Sequence, residues 1–98
     1  MRVAPDAAQS NPPDPQLHLF GMHVRRIRES LGLSMEELAH RSGMSFRGIA
    51  YIEHGRRNPS LLSLLQIASG LEVAPSRLLD CFAPNDHRGT TSAPGTTP

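Results

Sequence analysis

Only Ser42, Gly43 and Met44 separate two runs of helical character within residues 34–57, SMEELAHRSGMSFRGIAYIEHGRR. So short a connection forces the chain to turn sharply and the two helices to pack closely at a steep angle. Ser34 followed by Glu37 has the spacing of a capping box, in which each side chain satisfies a backbone N–H of the other residue. A helix is therefore predicted from about Met35 to about Arg41. Ser45 supplies the cap of the next, which turns Ile49 and Ile52 inward and stops at Gly55. Small residues stand where such a turn needs them. Ala39, four positions before Gly43, lets the following helix approach, and Gly43 tolerates a positive φ. Leu38, Met44, Ile49 and Ile52 are expected to close the core around the turn.

Three further helical patterns flank this pair. Phe20, Val24, Ile27 and Leu31 share one face of a helix ending at Gly32, with Gly21 weakening its first turn. Beyond the turn Arg56-Arg57-Asn58-Pro59, Ser60 caps a helix with Leu61, Leu64, Ala68 and Leu71 on one face. Pro75 opens a last short helix that buries Leu78 and brings Leu79 to the core's edge. No stretch alternates with the period of a strand, so the expected fold class is all-α, a compact five-helix domain. The ends differ in character. Residues 1–16 hold four prolines among small and polar residues, and residues 83–98, APNDHRGTTSAPGTTP, carry no apolar period. A disordered arm over 1–16, a domain over 17–82 and a disordered tail over 83–98 are expected.

The spacing of Ala39, Gly43, Met44, Ile49 and Ile52 resembles the lambda repressor and Cro-like helix-turn-helix family, also called the XRE family. The resemblance covers roughly residues 20–80, including VRRIRESLGLS, EELA, GIAYIEHGRRNPS and LLQIASGLEVAPSRLL. It implies that the helix opened by Ser45 lies in the major groove of double-stranded DNA with its N-terminal residues toward base edges. Phe46, Arg47 and Tyr51 are then the candidate base contacts. Arg47 can bond bidentately to guanine O6 and N7, and Phe46 offers apolar contact to a thymine methyl. Ser45, His54, Arg56 and Arg57 fall where the family contacts phosphates. Helix two of the family often begins with Gln, but Met35 stands there and a thioether does not donate. In relatives an Arg at the position of Arg28 pairs with a Glu at the position of Glu53, so this pair is expected as scaffold.

Charge agrees locally more than globally. The net charge is only +1, yet from Arg41 to Arg57 there are four arginines and a single acid, Glu53. All ten of the basic Lys and Arg positions are Arg, whose planar fork suits phosphates and guanine. The one cysteine, Cys81, excludes an internal disulfide and is read as a small apolar residue at the core's end. The five histidines lack partners at metal-ligand spacing, and Glu36 and Glu37 diverge on a helix, so neither a metal site, a cofactor nor catalysis is expected. No apolar run reaches the ~20 residues of a membrane span, and no signal-peptide segment is seen, which points to a cytoplasmic protein without a membrane or small-molecule partner.

The resulting expectation is a sequence-specific transcriptional regulator that binds double-stranded DNA as a homodimer. Leu62, Leu65, Leu79 and Phe82 exceed what one core needs and are the expected dimer contact. The competing reading is a protein-interaction or adaptor module that keeps the fold without DNA binding. Repressor and activator, and restriction-modification controller, antitoxin, phage-like repressor and stand-alone regulator, are equally compatible with these residues.

Overall fold

A computed structural model describes residues 14–82 of the chain. The first helix, α1 (Pro15–Ser30), starts where Asp14 accepts the Gln16 N–H at 2.8 Å and Pro15 takes the first helical position. It thus takes in Pro15 and Gln16, which proline content alone assigns to the arm; residues 1–13 of the arm and the whole tail lie outside the described residues. The other helices are α2 (Met35–Ser42), α3 (Phe46–Glu53), α4 (Leu61–Leu71) and α5 (Pro75–Leu78), followed by a 3-10 turn, Asp80–Phe82. Among the described residues there is no strand, and no helix is long and apolar enough to cross a membrane.

Each of the three middle helices opens on a serine that accepts a backbone N–H three residues on: Ser34 from Glu37, Ser45 from Gly48 and Ser60 from Ser63. At Ser34 the box is complete, because Glu37 also accepts the Ser34 N–H at 2.8 Å. Helix α2 continues one residue beyond the expected Arg41, since Ser42 turns its hydroxyl back to the Leu38 carbonyl at 2.7 Å. It ends at Gly43, whose φ of 71° admits the paired bonds from Gly43 to His40 and from Met44 to Ala39.

The core sits where α1, α2, α3, α4 and α5 converge. Val24, Leu38, Ile49, Ile67 and Leu78 are completely buried there, and Met35, Met44, Leu64, Val73 and Cys81 pack at its margin. Two leucines assigned to core faces by periodicity are not in it. Leu31 is 50% exposed because α1 ends at Ser30 and the helical period lapses; the buried residue is Leu33, on the far side of the turn. Leu61 is 68% exposed because the inward stripe of α4 centres on Ile67 and Leu71, leaving Leu61 at its edge in the first turn.

Helix α1 braces α3 from behind. Arg28 donates from Nε to Glu53 Oε2 at 2.7 Å and from Nη2 to Oε1 at 3.1 Å, and its Nη1 donates to the Leu33 carbonyl at 2.7 Å. Both side chains are buried. The hydrogen bonds to Glu53 raise the Arg28 pKa above its ordinary value, outweighing desolvation, so the guanidinium stays charged in place. Close approach is possible because position 21 has no side chain: a β-carbon on Gly21 would overlap the carbonyl oxygens of Ile52 and Glu53. His23 adds a second tie, its Nε2 donating to the Arg77 carbonyl of α5 at 2.7 Å.

Three stability outcomes follow from these contacts. Glu53→Ala leaves a buried guanidinium uncompensated and is expected to cost about 3–5 kcal/mol in urea unfolding, whereas the paired change Arg28→Met with Glu53→Leu recovers most of that loss. Gly21→Ala, normally favourable in a helix, lowers the melting temperature here because two backbone carbonyls must move. The Glu37 carboxyl is held below its ordinary pKa by the Ser34 backbone N–H and then by its hydroxyl, so its contribution is full above the ordinary carboxylate range and vanishes as pH falls through the lowered value. Melting curves of wild type and Glu37→Gln, recorded from neutral pH into acid, are expected to converge as that group protonates.

Candidate nucleic-acid interface

Helix α3 has a core side and a solvent side. Gly48, Ile49, Ile52 and Glu53 are buried; Phe46, Arg47 and His54 are exposed, with Ala50 and Tyr51 half-buried between them. The helix therefore spends Ile49, Ile52 and Glu53 on packing and the ion pair to α1, covers Gly48 with neighbouring side chains, and offers its other side to solvent. Phe46, at 46% exposure, begins that face in the first turn. Arg47 adjoins it and Tyr51 lies one turn further along, since residues four apart stack on one helix face. Of the three side chains expected to reach bases, Arg47 and Tyr51 thus share one face while Phe46 diverges from it by one residue, and Phe46 and Arg47 are exposed while Tyr51 is half-buried.

Ser45 is exposed at the helix start, where its Oγ accepts the Gly48 N–H at 2.9 Å. A hydroxyl accepting there still has its own proton to donate to an anion. At the other end of α3, Gly55 with φ 72° lets the chain fold back, Gly55 bonding to the Ile52 carbonyl and Arg56 to the Tyr51 carbonyl at 2.8 Å. That reversal separates the two arginines. Arg56 is exposed, whereas Arg57 is half-buried, its Cζ 5.3 Å from the centre of the Tyr51 ring. His54, at the C-terminal end of the same face, is exposed.

The stacking of Arg57 on Tyr51 is invisible to a reading by helical period, because one partner lies in the turn and the other in the helix. A glycine at position 48, inside an otherwise ordinary helical run, is the only trace of it in the sequence. Met35, at the start of α2, is half-buried against the core, consistent with packing in place of donation.

The four apolar residues expected at a dimer contact are all exposed, but they border two different hollows. Leu62, at 71% exposure, and Leu65 border one with Ser42, Gln66 and Ser69. Leu79 and Phe82 border the other, an apolar depression of about 150 Å³ shared with Leu17, Phe20, Pro59 and Leu64. The Phe82 ring lies parallel to that of the core residue Phe20, centroids 6.4 Å apart, so part of its surface closes the protein's own core. Among the described residues no group of three or more His, Cys, Asp or Glu side chains gathers in a metal-binding arrangement.

Comparison with known proteins places this geometry. The helix-turn-helix family model HTH_3 matches residues 24–78, more than half of the chain. An uncharacterized HTH-type transcriptional regulator of Sinorhizobium fredii is 38% identical over 61 residues, covering 62% of this chain and 79% of that protein. A second such regulator, from Mycobacterium bovis, is 35% identical over 68 residues, and there the match spans only 27% of the relative's length. Among solved structures, the restriction-modification controller protein C.AhdI of Aeromonas hydrophila is 37% identical with a TM-score of 0.66, over 66% of this chain and 98% of that one. The controller protein C.Esp1396I, bound to a 19 base pair DNA duplex, is 31% identical with a TM-score of 0.61, over 65% of this chain and 85% of that one. With five helices in this order, a three-residue turn before an exposed third helix and a family match across that core, the chain belongs to the XRE-type helix-turn-helix family of transcriptional regulators.

Proposed function

We propose that this chain is a transcriptional regulator that binds double-stranded DNA in a sequence-specific manner, reading the major groove with α3 as a homodimer. The observation that carries the reading is the solvent side of α3, with Phe46 and Arg47 exposed and Tyr51 half-buried, on a helix whose other side is locked to α1 by a buried ion pair. A rigid helix with a free face can enter a groove without rearranging its support. The likeness to C.Esp1396I, solved on a DNA duplex, supports the same reading.

In this scheme Arg47 bonds to guanine, Phe46 packs against a neighbouring base edge or thymine methyl, and Tyr51 reaches the next step along the groove. Ser45, His54, Arg56 and Arg57 hold the flanking phosphates and set the docking register. Two copies then engage half-sites about 34 Å apart, which doubles the base contacts of a small domain. The dimer contact draws on the exposed apolar residues Leu62, Leu65, Leu79 and Phe82.

Selection of bound fragments from random duplexes, followed by titration at several salt concentrations, tests the proposal. A two-fold related site and a steep fall of affinity with salt are expected. Arg47→Ala is expected to lose about 1–3 kcal/mol of discrimination at one base pair per half-site. Arg56→Ala should instead weaken all sequences alike and lower the salt slope by about one per protomer. Retention of wild-type affinity and selectivity by both variants would overturn the assignment of Arg47 and Arg56, whereas a wild type that binds no duplex would support the adaptor reading instead. For assembly, light scattering of Leu62→Glu and Leu79→Glu is expected to yield a monomer from at least one of them; a wild type that is monomeric both free and on its operator removes the dimer.

A further inference from the structure

Arg57 does not emerge from α3, yet it lies against it. The glycine-mediated reversal at the helix end carries the chain back, and the guanidinium crosses two side-by-side positions of the helix, 48 and 51. At position 51 it rests on the only tyrosine of the chain. At position 48 it fills the place of a missing side chain: a β-carbon on Gly48 would come 3.2 Å from Arg57 Nη1 and 3.1 Å from Ser45 Oγ. The helix thus gains, from the following turn, a cation beside its first turn that its own sequence leaves blank.

We infer that Gly48 and Tyr51 are positioning residues for Arg57, holding its guanidinium against α3 before DNA arrives. The inference rests on the DNA-binding reading above and deepens it. A free arginine loses much rotamer freedom when it fixes on a phosphate, and a guanidinium already seated on an aromatic face loses less at that moment. The seat also places the Arg57 donors near the Ser45 hydroxyl, so that two donors from different parts of the motif converge on one stretch of backbone. Tyr51 accordingly acts in two ways, toward the groove with its edge and toward Arg57 with its ring face.

Two measurements on the full chain test this. In the free protein, NMR is expected to show the Arg57 side-chain protons shifted upfield by the Tyr51 ring, a shift retained in Tyr51→Phe and abolished in Tyr51→Leu. On a selected duplex, Tyr51→Leu and Gly48→Ala are each expected to weaken binding about two- to fivefold, the range of an exposed cation–π contact, with Tyr51→Phe keeping more affinity than Tyr51→Leu. In an Arg57→Ala background the cost of Gly48→Ala should shrink to the part due to the crowded Ser45 hydroxyl, and that of Tyr51→Leu should shrink as well. Because the new β-carbon of Gly48→Ala also crowds the Ser45 cap, binding is compared well below each variant's melting transition, which separates misplacement of Arg57 from unfolding.

Absence of the upfield shift in the free wild type overturns the inference, as do Gly48→Ala and Tyr51→Leu costs that are the same with and without Arg57. In both cases a wild type that still binds its duplex leaves the DNA-binding reading standing. A wild type that shows the shift but binds none of the selected fragments overturns that reading, and this inference with it.

Discussion

The buried pair of Arg28 and Glu53 is the contact on which the presentation of α3 depends. An eight-residue helix has too few internal hydrogen bonds to persist alone, so its orientation has to come from its neighbours. Apolar contacts through Ile49 and Ile52 hold it to the core but are nondirectional, tolerating small rotations. The bidentate bond from Arg28 is directional, and a third donation from the same guanidinium to the Leu33 carbonyl ties the turn after α1 into the same arrangement. Such a pair contributes little net stability over an apolar one of equal volume. Its physical value lies in fixing the rotation of α3 about its axis, which decides which residues face outward.

Around that contact the chain uses close approach in place of bulk. Gly21 allows the backbones of α1 and α3 to meet at Ile52 and Glu53, Ala39 is buried in α2, and Gly48 gives space to Arg57. A small core without tryptophan gains rigidity this way, because short interhelical distances leave side chains few alternative packings. Serine caps at three helix starts satisfy backbone donors locally and keep these short helices from fraying where they approach one another. The outward face of α3 is the beneficiary: the contacts of Ile49, Ile52 and Glu53 that fix the helix lie on its other side.

The two apolar hollows show how a surplus of leucine in a sequence can be divided by tertiary structure. Composition alone treats Leu62, Leu65, Leu79 and Phe82 as one excess. Packing sets Phe82 on Phe20 and gives Leu79 to the same depression, which Leu64 of α4 also lines, while Leu62 and Leu65 border a separate hollow beside Ser42. The division of this exposed apolar area in two means that mutations in the two patches report on different surfaces.

Local chemistry made the helices and the turn legible in advance. The Ser34 and Glu37 box, the caps at Ser45 and Ser60, Gly43 at the turn and the inward pair Ile49 and Ile52 depend on residues within a few positions of each other, so their spacing alone determined them. The solvent side of α3 followed by subtraction, since a helix that buries one stripe must expose the other. Of what joins distant positions, the Arg28 and Glu53 pair was legible only through the family resemblance, and the rest required the folded chain: Leu33 in place of Leu31 in the core, the edge position of Leu61, the separation of the two leucine patches, and Arg57 laid across Gly48 onto Tyr51. Helical periodicity has no purchase once the chain leaves the helix, and those outcomes are set by where the chain returns, a matter of three-dimensional packing that no local spacing encodes.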